Sequence, residues 1–225
     1  MAWRDWVRGP EIEPSLYAAD FLHLGDQVTA LLGVGARIFH VDVGDGRFIP
    51  PVTIGAVVVE SVAPLVHGAG GRLDCHLMVV DPRGQLSQLA AAGADSVTFH
   101  VEAVADPAAA IAEARSHGLA VGVALSPETP VEQAVAASVG ADLVLCMSVH
   151  PGYSGQPFLP ESVDRIERLR SALPASVLVG VDGGIRDDNV ESVHRAGADL
   201  IVVATAIFGT DDIAAAYRRL ADAVA

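Results

Sequence analysis

Cysteine is scarce in this 225-residue chain: Cys75 and Cys146 are its two, each inside an apolar run. Two such thiols make no disulfide framework, so they read as buried thiols in a reducing compartment. Positive charge is scarce as well. Fourteen Lys and Arg stand against 28 Asp and Glu, for a net charge of −14. That balance excludes non-specific binding to nucleic acid or to an anionic membrane. It leaves room for a small anionic substrate, because a local pocket of backbone N–H groups can outweigh a negative global field. No uninterrupted apolar run is long enough to span a bilayer. The opening Met1-Ala2-Trp3-Arg4-Asp5-Trp6 lacks the apolar core of a signal peptide, so a cytoplasmic protein is expected. Linkers, low-complexity tracts and breaks in composition are missing too, which predicts one domain over 1–225. What is present is apolar: 51% hydrophobic residues against 19% charged, enough to bury a large core.

An internal phrase organises the chain. Gly-Ala followed by Arg or Asp opens an apolar run at Gly35, Gly93, Gly140 and Gly197, at intervals of 58, 47 and 57 residues. Each interval holds two strand–helix units. The full set of expected strands is 12–17, 38–43, 73–79, 96–102, 120–125, 143–149, 177–182 and 200–205, short Val/Ile/Leu-rich runs typical of parallel strands covered on both faces. Helices alternate with them. Asp106-Pro107 predicts an N-cap with proline in the first turn, Thr129-Pro130-Val131-Glu132 a capping box, and Val190 with Val193 one face of a later helix. The Gly-Ala phrase predicts a helix C-cap. Eight such units point to a closed (β/α)8 TIM barrel, class α/β. A doubly wound open sheet is the alternative, but the first strand is not followed by Gly-x-Gly-x-x-Gly.

In such a barrel chemistry sits where strands end. Those positions carry Ser15, His40 with Asp42, His76, Glu102, Ser126, His150, Asp182 and Thr205. His40 and Asp42 are two apart and share a strand face, as do Asp74, His76 and Met78. Taken singly, each of these reads as a hydrogen-bonded core histidine, a salt-bridge partner or a cap. Together His40, Asp42, His76 and Asp182 form an N₂O₂ set suited to Zn2+, Mn2+, Fe2+ or Co2+, which would satisfy several buried polar groups at once. Glycine-rich turns follow three adjacent strands, at Pro151-Gly152-Tyr153-Ser154-Gly155-Gln156, Asp182-Gly183-Gly184 and Ala204-Thr205-Ala206. They read either as tight turns or as a phosphate pocket, and three together favour the pocket.

Six segments carry a resemblance. They are Pro14-Ser15-Leu16-Tyr17-Ala18-Ala19-Asp20-Phe21, His40-Val41-Asp42-Val43-Gly44-Asp45-Gly46-Arg47-Phe48-Ile49-Pro50 and Leu73-Asp74-Cys75-His76-Leu77-Met78-Val79. The others are Phe99-His100-Val101-Glu102, Met147 through Phe158, and Val181-Asp182-Gly183-Gly184-Ile185. In this order they resemble the ribulose-phosphate 3-epimerase family from about Glu13 onward, which leaves residues 1–11 as a short N-terminal extension. The resemblance implies a metal-dependent isomerase of the pentose phosphate pathway. It would invert C3 of a ketose phosphate, D-ribulose 5-phosphate to D-xylulose 5-phosphate, through a metal-stabilised cis-enediolate. His40, Asp42, His76 and Asp182 would hold one divalent cation, with Asp42 and Asp182 also as the catalytic acid/base pair. Ser15, His76, Asp182, Gly152, Tyr153, Ser154, Gly155, Gly183, Gly184, Ala204 and Thr205 would bind substrate. Met78 and Met147 would form a hydrophobic collar. Family members are often homo-oligomers. His100 and Glu102 match the family pattern, with packing or support as their implied role.

Five positions depart from the family pattern: Gly44 replaces Met, Pro51 and His150 each replace Asn, and Ala204-Thr205 replaces Gly-Ser. Gly44 is expected to open space over the reaction plane, His150 to add a titratable group near the mouth, and Ala204 to add a methyl group beside the phosphate. Two other readings stay open: an epimerase of another ketose phosphate such as a hexulose 6-phosphate, and a non-catalytic barrel that binds sugar phosphate. Trp3 and Trp6 are expected on the barrel or at a subunit contact.

Overall fold

Eight apolar strands, each too short to bury itself, pair side by side in the computed structural model, which describes residues 3–225. They are β1 (Glu11–Pro14), β2 (Ile38–Gly44), β3 (Arg72–Met78), β4 (Ser96–His100), β5 (Ala120–Leu125), β6 (Leu143–Met147), β7 (Leu178–Asp182) and β8 (Leu200–Val203). The helices are α1 (Leu24–Gly33), α2 (Ala56–Gly68), α3 (Leu86–Ala92), α4 (Pro107–Ser116), α5 (Val131–Ala137), α6 (Ser162–Ala172), α7 (Val190–Arg195), α8 (Thr205–Phe208) and α9 (Ile213–Asp222). The ladder is parallel throughout, in the order β1-β8-β7-β6-β5-β4-β3-β2. Its two ends meet at an isolated parallel bridge between Ser15 and His40, which closes the sheet into a (β/α)8 barrel.

All eight expected strands are present, but four stop two or three residues earlier than their apolar runs suggest. The chain coils into 3₁₀ turns at Leu16–Ala18 and Val101–Ala103, leaves the ladder after Met147, and enters α8 at Thr205. Apolar character persists there because these loops are still covered by protein. Among the described residues, no helix is long and apolar enough to cross a membrane.

The helix ends follow the sequence with one exception. Asp106 accepts the Ala109 N–H at 3.0 Å and Pro107 opens α4. Gly35, Gly93, Gly140 and Gly197 all sit at φ between +90° and +111°, a region costly for any residue with a Cβ. After three of them the alanine N–H turns back to a carbonyl five residues earlier: Ala36 to Leu31, Ala94 to Leu89 and Ala198 to Val193, at 3.0–3.2 Å. The aspartates of the phrase have a further task. Asp95, Asp142 and Asp199 accept the N–H of Leu73, Val121 and Val179, each on the preceding strand, at 2.9–3.0 Å. Arg72, Arg115 and Arg170 lie against the same three carboxylates. The exception is the expected capping box. The Thr129 hydroxyl donates to Glu102, Glu132 pairs with Arg168, and the helix begins after Pro130 with no side-chain cap. Pro130 has no N–H for a box to satisfy.

The N-terminal segment closes the bottom of the barrel. Trp3 and Val7 are buried with Ile38, Ala120, Leu143, Leu178 and Leu200, the first residues of β2, β5, β6, β7 and β8. Trp6 packs on Trp3 at 5.2 Å between ring centroids, with the Arg72 guanidinium over its ring. Both tryptophans therefore lie on the barrel.

Candidate active site and metal centre

The interior of the barrel is divided by chemistry. Strands β1–β4 bury Glu13, His40, Asp42, Asp74, His76, Ser96, Thr98 and His100. Opposite them β5–β8 supply Ala124, Leu145, Met147 and Val202. Glycines keep that side close: a Cβ at Gly122 would lie 2.4 Å from Thr98 Oγ1, and one at Gly180 would lie 2.8 Å from Leu145 Cδ1. A charged cluster set against an apolar wall feels little water screening, so its internal pairings are strong.

Register places the cluster. His40 pairs with Asp74 and Asp42 with His76 across β2 and β3, while Asp182 ends β7 beside Met147. His40 Nε2 lies 3.3 Å from Asp42 Oδ1, and His76 Nδ1 lies 3.4 Å from the same oxygen and 3.5 Å from Asp182 Oδ2. One ligand atom from each of these four residues falls within 4.8 Å of all the others. Ser15 donates to the second oxygen of Asp42 at 2.6 Å. Both imidazole nitrogens of His40 and Nδ1 of His76 are buried without a hydrogen bond. Orphaned buried nitrogens are rare and costly, and two facing carboxylates across a gap of this size are the donor set a divalent cation requires. The residues fit a metal.

Electrostatics agree with that fit. Burial works to raise the Asp42 carboxyl, but His40 and then His76 overcome it and hold it well below the carboxylate range. Burial works to lower both imidazoles, yet Asp42, with Asp74 and Glu13, drives His40 well above its ordinary value, and Asp182 with Asp42 raises His76. The carboxylates thus demand positive charge, which protons on the imidazoles supply when no cation does.

Beneath the cluster lies a part the strand-end reading missed. Glu13 Oε2 and Asp74 Oδ2 lie 3.7 Å and 3.3 Å from His40 Nδ1, and Asp74 also accepts from Ser96 at 2.7 Å. Burial, with Asp74 adding to it and His40 opposing it, pushes Glu13 up to about 7. Glu13 is a charged residue in an apolar strand, two before Ser15 and on the same face. That was its only signal.

Above the cluster opens a narrow cleft. Ser15, Asp42, Met78, Met147, Asp182, Gly152, Tyr153, Ser154, Gly155, Gly183, Gly184, Ala204 and Thr205 line it, as do the unforeseen Tyr17, Val149, Ile185 and Val202. The three glycine turns therefore converge on one rim. Gly183 and Gly184 have φ of +121° and +67°, and a Cβ on Gly184 would lie 2.5 Å from the Phe158 N, so that rim is closely packed backbone. His40 and His76 have no exposed surface and do not line the cleft; they form its floor from behind.

One departure behaves differently from expectation. A Cβ at Gly44 would lie 2.5 Å from Ile49 Cδ1, so Ile49 fills the space that glycine was expected to open. His150 is not among the cleft-lining residues; its side chain, 64% exposed, meets Glu128 at 2.8 Å. Polar water-facing surroundings suit both groups better than an apolar rim.

The family model described as Ribulose-phosphate 3 epimerase family matches residues 11–208. A "Ribulose-phosphate 3-epimerase" of Mycobacterium tuberculosis is 41% identical over 94% of this chain and 92% of its own. One from Schizosaccharomyces pombe is 41% identical over 88% of this chain and 86% of its own. The solved structure of 3-hexulose-6-phosphate synthase from Salmonella typhimurium has a TM-score of 0.71 at 17% identity, over 95% of this chain and 98% of that one, a likeness of fold alone.

Proposed function

The chain belongs to the ribulose-phosphate 3-epimerase family, and from that premise we propose that Asp42 and Asp182 epimerise a phosphorylated ketose, D-ribulose 5-phosphate, over a metal held by His40, Asp42, His76 and Asp182. It is an epimerase, an enzyme of the isomerase class. The observation that carries the mechanism is the cluster of unpartnered imidazole nitrogens and carboxylates at the floor of a cleft rimmed by three glycine turns.

Inverting C3 requires breaking its C–H bond. One carboxylate takes the proton, the electron pair forms the C2–C3 double bond of an enediolate, and charge moves onto the C2 oxygen. The second carboxyl group then returns a proton to C3 from the other face, so its carboxylate is ready as base for the reverse direction. A bound divalent cation, Zn2+, Fe2+, Mn2+ or Co2+, would supply Lewis-acid charge beside that oxygen. A Schiff-base route to the same enolisation is closed, because the sequence contains no lysine. Ser15, bonded to Asp42, orients the carboxylate that it touches. Met78 and Met147 line the cleft and offer an apolar wall that keeps water from the carbanion. The backbone of Gly152–Gly155, Gly183-Gly184 and Ala204-Thr205 would grip the phosphate and fix the remote end of the substrate. The reading also takes the chain as one functional unit with the residues before β1 as an extension, working in the cytoplasm as a homo-oligomer.

Incubation with ribulose 5-phosphate and Zn2+ in D₂O tests it. Deuterium should enter C3 with formation of xylulose 5-phosphate, and Asp42→Asn or Asp182→Asn should lower kcat by 10³-fold or more, on the order of 4 kcal/mol. Near-normal turnover in either variant would sink the two-carboxylate assignment.

A further inference from the structure

Glu102 and His100 lie off the cleft and take no part in those proton transfers, yet a continuous chain of hydrogen bonds runs from them to the cluster. Thr129 and the Ser126 N–H, the latter at 2.8 Å, donate to Glu102 Oε1. Glu102 Oε2 lies 3.0 Å from His100 Nδ1, with Ser126 Oγ a more distant neighbour at 3.4 Å. His100 Nε2 lies 3.0 Å from His76 Nε2, and the two rings stack at 5.1 Å. His76 Nδ1 then faces Asp42 and Asp182. Both imidazoles are fully buried, and the Phe48 ring covers His100 at 4.8 Å between centroids.

Two facing ring nitrogens share one proton, so the chain has a direction. Glu102 is held ionised, down to about 2, because the donors around it overcome its burial. A carboxylate only accepts. His100 must therefore carry its proton on Nδ1 and present a lone pair at Nε2. His76 must then carry its proton on Nε2, which leaves the Nδ1 lone pair for the cluster. His40 has no such chain: its Nδ1 lies 3.3 Å and 3.7 Å from two carboxyl groups and makes no hydrogen bond.

We infer that Glu102 is a positioning residue which, through His100, holds His76 in the tautomer whose Nδ1 lone pair faces the metal centre. This rests on the metal reading above for its purpose, and on the hydrogen-bond geometry around an ionised Glu102 for its content.

Glu102→Gln tests it, because glutamine reverses the chain instead of cutting it. Its carbonyl is needed by the Ser126 N–H, so its NH₂ faces His100 Nδ1. His100 must then protonate on Nε2, and His76 on Nδ1, which points a hydrogen at the cluster. Imidazole 15N shifts of the metal-free protein at alkaline pH should show His100 protonated on Nδ1 in the wild type and on Nε2 in E102Q. Zn2+ affinity, read by competition with a chromophoric chelator, should fall by about 10–100-fold in E102Q. It should fall less in Glu102→Ala, which removes more packing but imposes no reversed proton, and least in Glu102→Asp. Unchanged His100 shifts, or an E102A loss equal to that of E102Q, would overturn the inference. A wild type that fails to bind Zn2+ would remove the metal reading, and the His100 tautomer would still decide this one. Zn2+ binding that is equal in wild type and E102Q would overturn the inference and leave the metal reading standing.

Discussion

Glu13 shows what a single buried carboxyl does to the barrel. It is 1% exposed, one of its oxygens has no partner, and burial raises its pKa from 4.5 to about 7. Below about pH 4.5 it is protonated in both folded and unfolded chains and costs nothing. As pH rises, the unfolded chain ionises first, so stability is lost between about 4.5 and 7 and stays lost above. Glu13→Gln should therefore stabilise the metal-free protein by on the order of 3 kcal/mol at about pH 8 and by almost nothing near pH 4.5. Urea unfolding at both pH values checks this; an equal gain at both would show that packing, not charge, decides. His40, Asp42, His76 and Asp182 were legible because strand ends and a period of two put them on one face. Glu13 was not, since its partner Asp74 comes from β3 and only the closed ring brings them together. Gly44 misled for a similar reason: Ile49, which fills its space, sits in a loop with no periodicity to read.

At the scale of elements, the Gly-Ala-Asp phrase ties each helix end to two strands. Glycine's role was readable from backbone conformation alone. The aspartate's was not, because its acceptor bond crosses to the preceding strand, some twenty residues away. Asp142 takes the buried Val121 N–H and pairs with Arg115. Asp142→Ala should cost about 2 kcal/mol by leaving that N–H unsatisfied, whereas Asp142→Asn, which keeps an acceptor, should cost under about 1 kcal/mol. Chemical denaturation distinguishes them, and kcat should be unaltered in both because the residue lies at the opposite end of the strands from the cleft. Equal losses would mean that the ion pair, and not the backbone bond, carries the effect. The failed box at Thr129 belongs here too: four letters fitted a capping pattern, but the threonine was needed by Glu102 from another unit.

At the scale of the whole molecule, alternation of apolar runs and capped helices was enough to specify a barrel, since eight strands buried on both faces have few other ways to close. A ligand that binds the closed ring and not the open chain stabilises it by mass action. Zn2+ at 100 times its Kd should add about 2.7 kcal/mol to the metal-free protein, a rise in Tm of roughly 5–10 °C. The rise should shrink in acid, where protons compete for His40 and His76. A scanning melt with and without chelator measures it, and a Tm indifferent to Zn2+ would speak against the quartet as a metal site.

The seam between β1 and β2 ties that energetics to assembly. The bridge that shuts the ring joins Ser15 to His40, and Ser15 reaches Asp42 from there. A chain that has folded most of its strands but not met itself has neither the four-residue cluster assembled nor Asp42 held by Ser15. On the proposed mechanism, an unclosed barrel would lack both the full set of four side chains and the Ser15 contact to Asp42. The closing contact acts as an inspection stamp, and only a finished barrel carries it.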